Sequence, residues 1–186
     1  MHAFSSLVSV GVALYAFAGT ASAIPAAPTN TTTHILLKTE ALRTNGSSVI
    51  EYWGLAPGAE RRDVSATPDT LGSLVKRCGS NNLDCDVQNN LASVRICRNL
   101  REYIGSHGGE AVPSNVRDIC LREDFNSCCA SWNAPANFVK ENLLPALDQT
   151  LAACAIPGDV VSGRSKDTQL GNTCLIQCLS NRPDGC

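Results

Sequence analysis

All ten cysteines of this chain lie between Cys78 and Cys186, and none precedes Cys78. About 9% of that 109-residue stretch is Cys, the density of a disulfide scaffold rather than of an ordinary cytosolic enzyme. The count is even, so Cys78, Cys85, Cys97, Cys120, Cys128, Cys129, Cys154, Cys174, Cys178 and Cys186 can all be bridged. Sequence alone leaves the pairing open among hundreds of possibilities. Size explains the need: with four aromatics (Tyr103, Phe125, Trp132, Phe138) such a unit buries a modest core. Each native bridge adds roughly 2–5 kcal/mol.

Geometry limits the choices. Cys128 and Cys129 are neighbours, so direct bridging is strained; on a strand they point to opposite faces and reach different partners. One is expected to tie the sheet to its helices, the other to reach a loop or the tail. Cys174 and Cys178 face the same side, Cys97 and Cys154 sit on inner helix stripes, and Cys78 and Cys186 end the cysteine-rich part. Zinc is the rival use of thiolates, but Cys-x2-Cys pairs are missing and His107 is the only histidine after residue 77. No metal and no cofactor is expected.

The residues before Cys78 have another character. Residues 1–23 read as a secretory signal peptide: an apolar run from Leu7 to Ala18, too short to span a bilayer comfortably, then Ala21-Ser22-Ala23 as the cleavage pattern. Cleavage is placed after Ala23. Residues 24–77 begin Pro-, Ala- and Thr-rich, a composition that builds no core. They carry sequons at Asn30 and Asn45, and one possible strand over 47–53. Lys76-Arg77 stands immediately before Cys78. Basic pair, composition change and first cysteine coincide there, so a kexin-type protease is expected to cut after Arg77. Residues 24–77 are then a largely disordered propeptide and 78–186 the mature disulfide-rich domain.

That domain holds nine Arg/Lys and twelve Asp/Glu. A net acidic product is a poor ligand for nucleic acid or anionic membrane, and no later stretch is long and apolar enough to span a bilayer. Asp86 can cap a helix running to about Ile104, with Gly105 as its stop. Ile119 and Leu121 alternate with polar neighbours as a short strand, and residues 125–132 read as a second. Leu144, Leu147, Leu151 and Cys154 make a helical stripe with Pro145 in the first turn. Thr173 to Leu179 is the last strand. The order predicts an α+β fold: a small disulfide-rich two-layer sandwich, two helices on an antiparallel sheet.

Catalytic constellations are scarce. His107 is the one side chain of the domain able to move a proton near neutral pH. Gly-x-Ser-x-Gly, phosphate-binding glycine loops, HExxH and calcium loops do not occur. Arg101, Glu102 and Glu110 flank His107 in sequence, but helix ends and loops usually leave such charges solvated. Glu123-Asp124 are adjacent carboxylates, and chain neighbours rarely face one another across a substrate. Arg182, in the turn-prone Asn181–Cys186 end, is a candidate recognition residue. No catalytic residue is assigned.

Three strings, Cys78-Gly-Ser-Asn81, Cys128-Cys129-x-Ser131-Trp132 and Thr173-Cys174-x3-Cys178-Leu-Ser-Asn-Arg-Pro-Asp-Gly-Cys186, resemble the fungal secreted cysteine-rich family labelled "WD-like domain". The label does not describe this chain: Trp53 precedes Gly, Trp132 precedes Asn, and a unit of this length cannot close a propeller. The resemblance implies a fungal, exported protein without an assigned activity. More loosely, the layout is similar in architecture to fungal killer toxins and effectors sharing their sandwich, a fold-level analogy. The expected function is extracellular, non-catalytic binding of a protein or cell-surface target, as effector or antagonistic toxin. The alternatives are a small extracellular hydrolase and a wall-associated structural protein. The expected partners are that surface target and the kexin-type protease, with no nucleic acid and no membrane span.

Overall fold

The computed structural model describes residues 34–42, 48–56, 78–86, 88–184 and 186, all within one compact unit, Thr32–Cys186. In chain order the elements are β1 (His34–Ala41), β2 (Ser48–Leu55), β3 (Asn82–Cys85), β4 (Ala92–Ser93), α1 (Val94–Ser106), β5 (Ala111–Val112), β6 (Val116–Glu123) and β7 (Asn126–Trp132). They continue with β8 (Phe138–Val139), a 3-10 turn (Lys140–Leu143), α2 (Leu144–Ala153), β9 (Ala155–Ile156), β10 (Val160–Val161), β11 (Gly163–Leu170) and β12 (Thr173–Ser180). Seven strands form one sheet in the order β1-β2-β6-β7-β12-β11-β3, every neighbouring pair antiparallel. The expected two helices on an antiparallel sheet are present, and strand outweighs helix.

Helix α1 packs on β6 and β7, and α2 on β3, β11 and β12. The stripe that α1 buries is Val94, Ile96, Cys97, Leu100, Tyr103 and Ile104, residues spaced three and four apart so that they share one face. Arg101 grips Asp148 with two guanidinium bonds (2.8 and 3.0 Å) and so clamps α1 to α2. Trp132 and Phe138 meet edge to face at 5.0 Å in the core.

The first helix starts later than its sequence suggests. Asp86 Oδ1 accepts the amides of Gln88 and Asn89, both at 3.0 Å, so it caps a local turn instead. Asn90 then adopts φ +53°, and Ala92–Ser93 pair with β10 before α1 begins at Val94. At the other end the helix runs through Gly105 to Ser106. Pro145 does sit in the first turn of α2, where its missing N–H costs nothing.

Strands β3 and β11 escaped the sequence reading. Alternating burial along β11 is interrupted where the register shifts between Ser165 and Thr168, with Asp167 at φ +58°; that bulge hides the period-two signal. The β11–β12 turn needs Gly171, whose φ is +60° and whose Cβ would stand 2.3 Å from the carbonyl oxygen of Asn137.

The larger departure lies before Cys78. The segment expected to be largely disordered supplies β1 and β2, and β2 pairs along β6 from Ser48↔Glu123 to Gly54↔Val116. Ile50 is fully buried and Tyr52 is 5% exposed, packed in the same core as α1. On the opposite face Arg122 clamps Glu51 (2.8 and 3.3 Å), which also accepts Trp53 Nε1 at 3.0 Å. The possible strand over 47–53 is present as β2 with a core face of its own; its partner β1 has no counterpart in the sequence-based expectation. Ala23, Lys76 and Arg77, and the sequon residues Asn30 and Asn45, lie outside the described residues.

Five disulfides use all ten cysteines: Cys78–Cys174, Cys85–Cys154, Cys97–Cys128, Cys120–Cys129 and Cys178–Cys186. Cys128 ties the sheet to α1, and Cys154 ties α2 to β3. Bridges at Cys78 and Cys186 hold both ends of the cysteine-rich part. Cys129 reaches neither a loop nor the tail. It bridges to Cys120 on the adjoining strand, directly opposite it in register, with the Cα atoms 4.0 Å apart. The reason is the two-residue turn at Asp124-Phe125, which leaves positions 120 and 129 equidistant from the bend.

Candidate functional site

The densest polar cluster at the edge of the core forms where α1 ends. Tyr103, in the last turn of α1, and Lys140, at the first position of the 3-10 turn, both point toward β2. Lys140 is 2% exposed, and a buried ammonium must be fully partnered. It donates to Tyr52 Oη (2.8 Å), Tyr103 Oη (3.1 Å) and Glu110 Oε2 (2.7 Å). The two phenol oxygens are 2.8 Å apart, and Lys140 Nζ also lies 4.7 Å from the Tyr103 ring centroid. Glu40, on β1, completes the group: its carboxylate accepts from Tyr103 Oη and pairs with Lys38.

Titration follows from this packing. Burial, then the bonds to Glu40 and Tyr52, hold the Tyr103 hydroxyl well above the ordinary phenol range, so it stays a proton donor. Burial pushes Glu40 upward, but the bonds from Lys38 and Tyr103 and the charges of Lys38 and Lys140 outweigh it and leave the carboxyl below its usual value. The bond from Lys140 lowers Glu110 likewise. The arrangement is built to hold a carboxylate: one ammonium and one fixed hydroxyl donor, largely sheltered from water.

Of the residues singled out in the sequence, His107 and Glu110 join this cluster. The His107 ring lies 4.4 Å from that of Tyr103, and its Nδ1 lies 2.9 Å from both Ser106 Oγ and the Tyr103 carbonyl oxygen. The others fall elsewhere. Arg101 is taken by Asp148, Glu102 is exposed, and Glu123 accepts Arg95 (2.6 Å) and Asn99 (2.9 Å). Asp124 forms the β6–β7 turn at φ +51°, and Arg182 is exposed at the tail. Tyr52, Tyr103, Glu40 and Lys140 were not foreseen. Lys140 sits in the polar run Lys-Glu-Asn, and nothing local marks it as buried. A second, open cleft of about 400 Å³ lies between β3 and β11; its facing charges, Asp84 and Arg164, pair with each other at 2.6 Å.

The family model described as fungal WD-like matches residues 63–186, two-thirds of the chain. The chain belongs to the fungal WD-like family. No curated protein and no solved structure matches it, so the architectural likeness to killer toxins carries no argument. In this WD-like chain the match includes Tyr103, Lys140, Glu110 and every cysteine, while the β1–β2 hairpin lies wholly outside it. Five disulfides are the pattern of a protein that matures in an oxidising compartment. Among the described residues, no helix is long and apolar enough to cross a membrane, and no group of three or more His, Cys, Asp or Glu side chains is placed to hold a metal ion.

The hairpin of the WD-like chain is also held at its outer end by charge. His34 Nδ1 lies 3.0 Å from Asp118 Oδ2 and 3.3 Å from Asp184 Oδ1; Asp118 is fully buried and also accepts the Asp184 amide at 3.1 Å. The close approach of Asp118 raises the His34 value first, burial opposes it, the Asp118 and Asp184 charges add to it, and Arg117 subtracts. A raised folded value means that the stabilisation is complete below the unfolded value of about 6.5 and is lost as pH climbs through the folded one. Comparing melting temperatures of the wild type and His34→Gln between pH 5 and pH 8.5 checks this. The gap between the two proteins should be widest at the acid end and close toward the alkaline end.

Proposed function

We propose that this WD-like protein is exported, trimmed by a kexin-type protease after Arg77, and acts outside the cell as a disulfide-stabilised binding protein without catalysis. Its target would be an extracellular protein or a cell-surface component, in the manner of an effector or antagonistic toxin. The helices would form one layer of a two-layer sandwich and the sheet the other. One observation carries the reading: every disulfide lies within 78–186, so the cysteine-rich part is covalently closed upon itself and no bridge joins it to the residues before Cys78. A chain so cross-linked is suited to oxidising, proteolytic surroundings. The polar cluster supports binding over turnover. Lys140 is surrounded by hydrogen-bond partners, and the carboxylates beside it are held ionised rather than poised near neutrality.

Mass spectrometry of the secreted protein, with alkylation before and after reduction, tests this reading. The expected species begins at Cys78 and takes up no alkyl group until reduced, then ten. A sole species beginning at Ile24, or labelled thiols without reduction, would overturn it. A small hydrolase is the second reading, favoured by the approach of His107 to the cluster. His107→Ala with undiminished biological activity eliminates it.

A further inference from the structure

The hairpin of residues 34–55 has no covalent tie to the domain it completes, apart from the chain through 57–77 that contains two basic pairs, Arg61-Arg62 and Lys76-Arg77. Strand β6 is secured on one side by its own turn to β7 and by Cys120–Cys129. On the other side it is joined only by non-covalent pairing with β2. A cut after Arg77 leaves the hairpin as a separate bound peptide. Without it, β6 becomes an eight-residue edge whose outward N–H and C=O groups are free to take another strand.

Side chains along the seam are complementary in charge. The domain offers Lys140 beside Tyr103 on the helix side and Arg122 on the opposite face. The hairpin answers with Glu40 at Tyr103 and Lys140 and Glu51 at Arg122. Tyr52 fills the position opposite Ile119 and shares its hydroxyl with Lys140. If the hairpin is withdrawn, Lys140 loses one of its three hydrogen-bond partners, and the Tyr103 hydroxyl loses its acceptor. What opens is a strand edge flanked by the Arg122 guanidinium, by the Lys140 ammonium with Glu110 still beside it, and by a fixed hydroxyl donor.

We propose that the β6 edge with Lys140, Tyr103 and Arg122 is the partner-binding site of the domain, and that its ligand is an extended acidic segment of another protein that displaces the hairpin. Glu40 and Glu51 are the built-in stand-ins for the partner's carboxylates. The main chain of β6 supplies affinity, and the two cationic seats select acidic residues at fixed positions along the strand. The tether keeps the site closed before cleavage, because a linked hairpin competes at high effective concentration. This inference rests on the processing and binding reading above.

The test uses the full oxidised chain, intact or cut in vitro by a dibasic-specific protease, whose cut at Arg61-Arg62 or Lys76-Arg77 frees the hairpin either way, so it does not depend on what cells secrete. A fluorescent synthetic peptide of residues 34–55 is added, and its uptake is followed by polarisation. Cut protein is expected to take up the peptide, intact chain to refuse it, and a peptide carrying Glu40→Gln and Glu51→Gln to bind at least tenfold more weakly. Absence of exchange into the cut protein at any peptide concentration overturns the proposal. Equal uptake of the Gln peptide overturns the selection for carboxylates. Dimers that trade hairpins would assign the edge to a second copy of the chain and overturn the foreign partner. A secreted amino terminus at Ile24 would end the processing reading and leave the exchange result standing.

Discussion

Ile50→Ala should lower the unfolding free energy of the uncut chain by about 2–5 kcal/mol, the range for emptying a fully buried aliphatic site. Ile50 is 0% exposed, on the strand that bridges the outer hairpin strand to β6. Truncation removes three carbons from a core shared with α1, and the sheet cannot close over the gap without pulling β2 off its register. Leu36→Ala is the control: that side chain is 45% exposed on β1, and its loss should stay within about 0.5 kcal/mol. Urea unfolding under oxidising conditions reads both, as a shift in midpoint at constant slope. An Ile50→Ala protein as stable as wild type would mean that the hairpin is not part of the cooperative core.

Removing the Cys97–Cys128 bridge by paired alanine substitutions should cost about 4 kcal/mol. Loop closure over its separation of 31 residues contributes about 3.7 kcal/mol on the chain-entropy account. Both sulfurs are fully buried between α1 and β7, so their loss also leaves a small void. The Cys178–Cys186 bridge closes only eight residues and its tail cysteine is exposed; its removal should cost about 2.5 kcal/mol or less. The double variants can be ranked by melting temperature and by denaturant midpoint. Cys97/Cys128 should be the more damaged, and the reverse order would contradict the placement of these bridges.

Local pattern carried the two helices, because an apolar stripe at three- and four-residue spacing reports burial of one face whatever that face meets. It carried the β6–β7 hairpin and β12 as well, although only Ile119 and Leu121 on β6 show an alternation with polar neighbours. The helix starts later than the Asp86 cap suggests because the chain leaves helical geometry at Asn90 (φ +53°) and Ala92–Ser93 pair with β10. Strands β3 and β11 were missed because a bulge breaks the alternation of one and the other is four residues long. Before Cys78 the local pattern carries β2 but not β1, because composition is an average, and four buried residues of β2 are enough to seat a hairpin inside a segment that is poor overall.

Lys140 shows where local reading stops. Nothing in its neighbours distinguishes it from a solvated lysine; its burial exists only because β2, α1 and the loop holding Glu110 converge on it. Counts, spacing and backbone geometry are enough to imply a cross-linked unit from Cys78 onward, with two helices and adjacent cysteines facing opposite ways. Tertiary structure alone decided which sulfurs meet, which strand completes the sheet, and that a carboxylate seat forms at its edge. Those outcomes join groups far apart along the chain, and such contacts come from the packing of whole elements, which no window of neighbouring residues encodes.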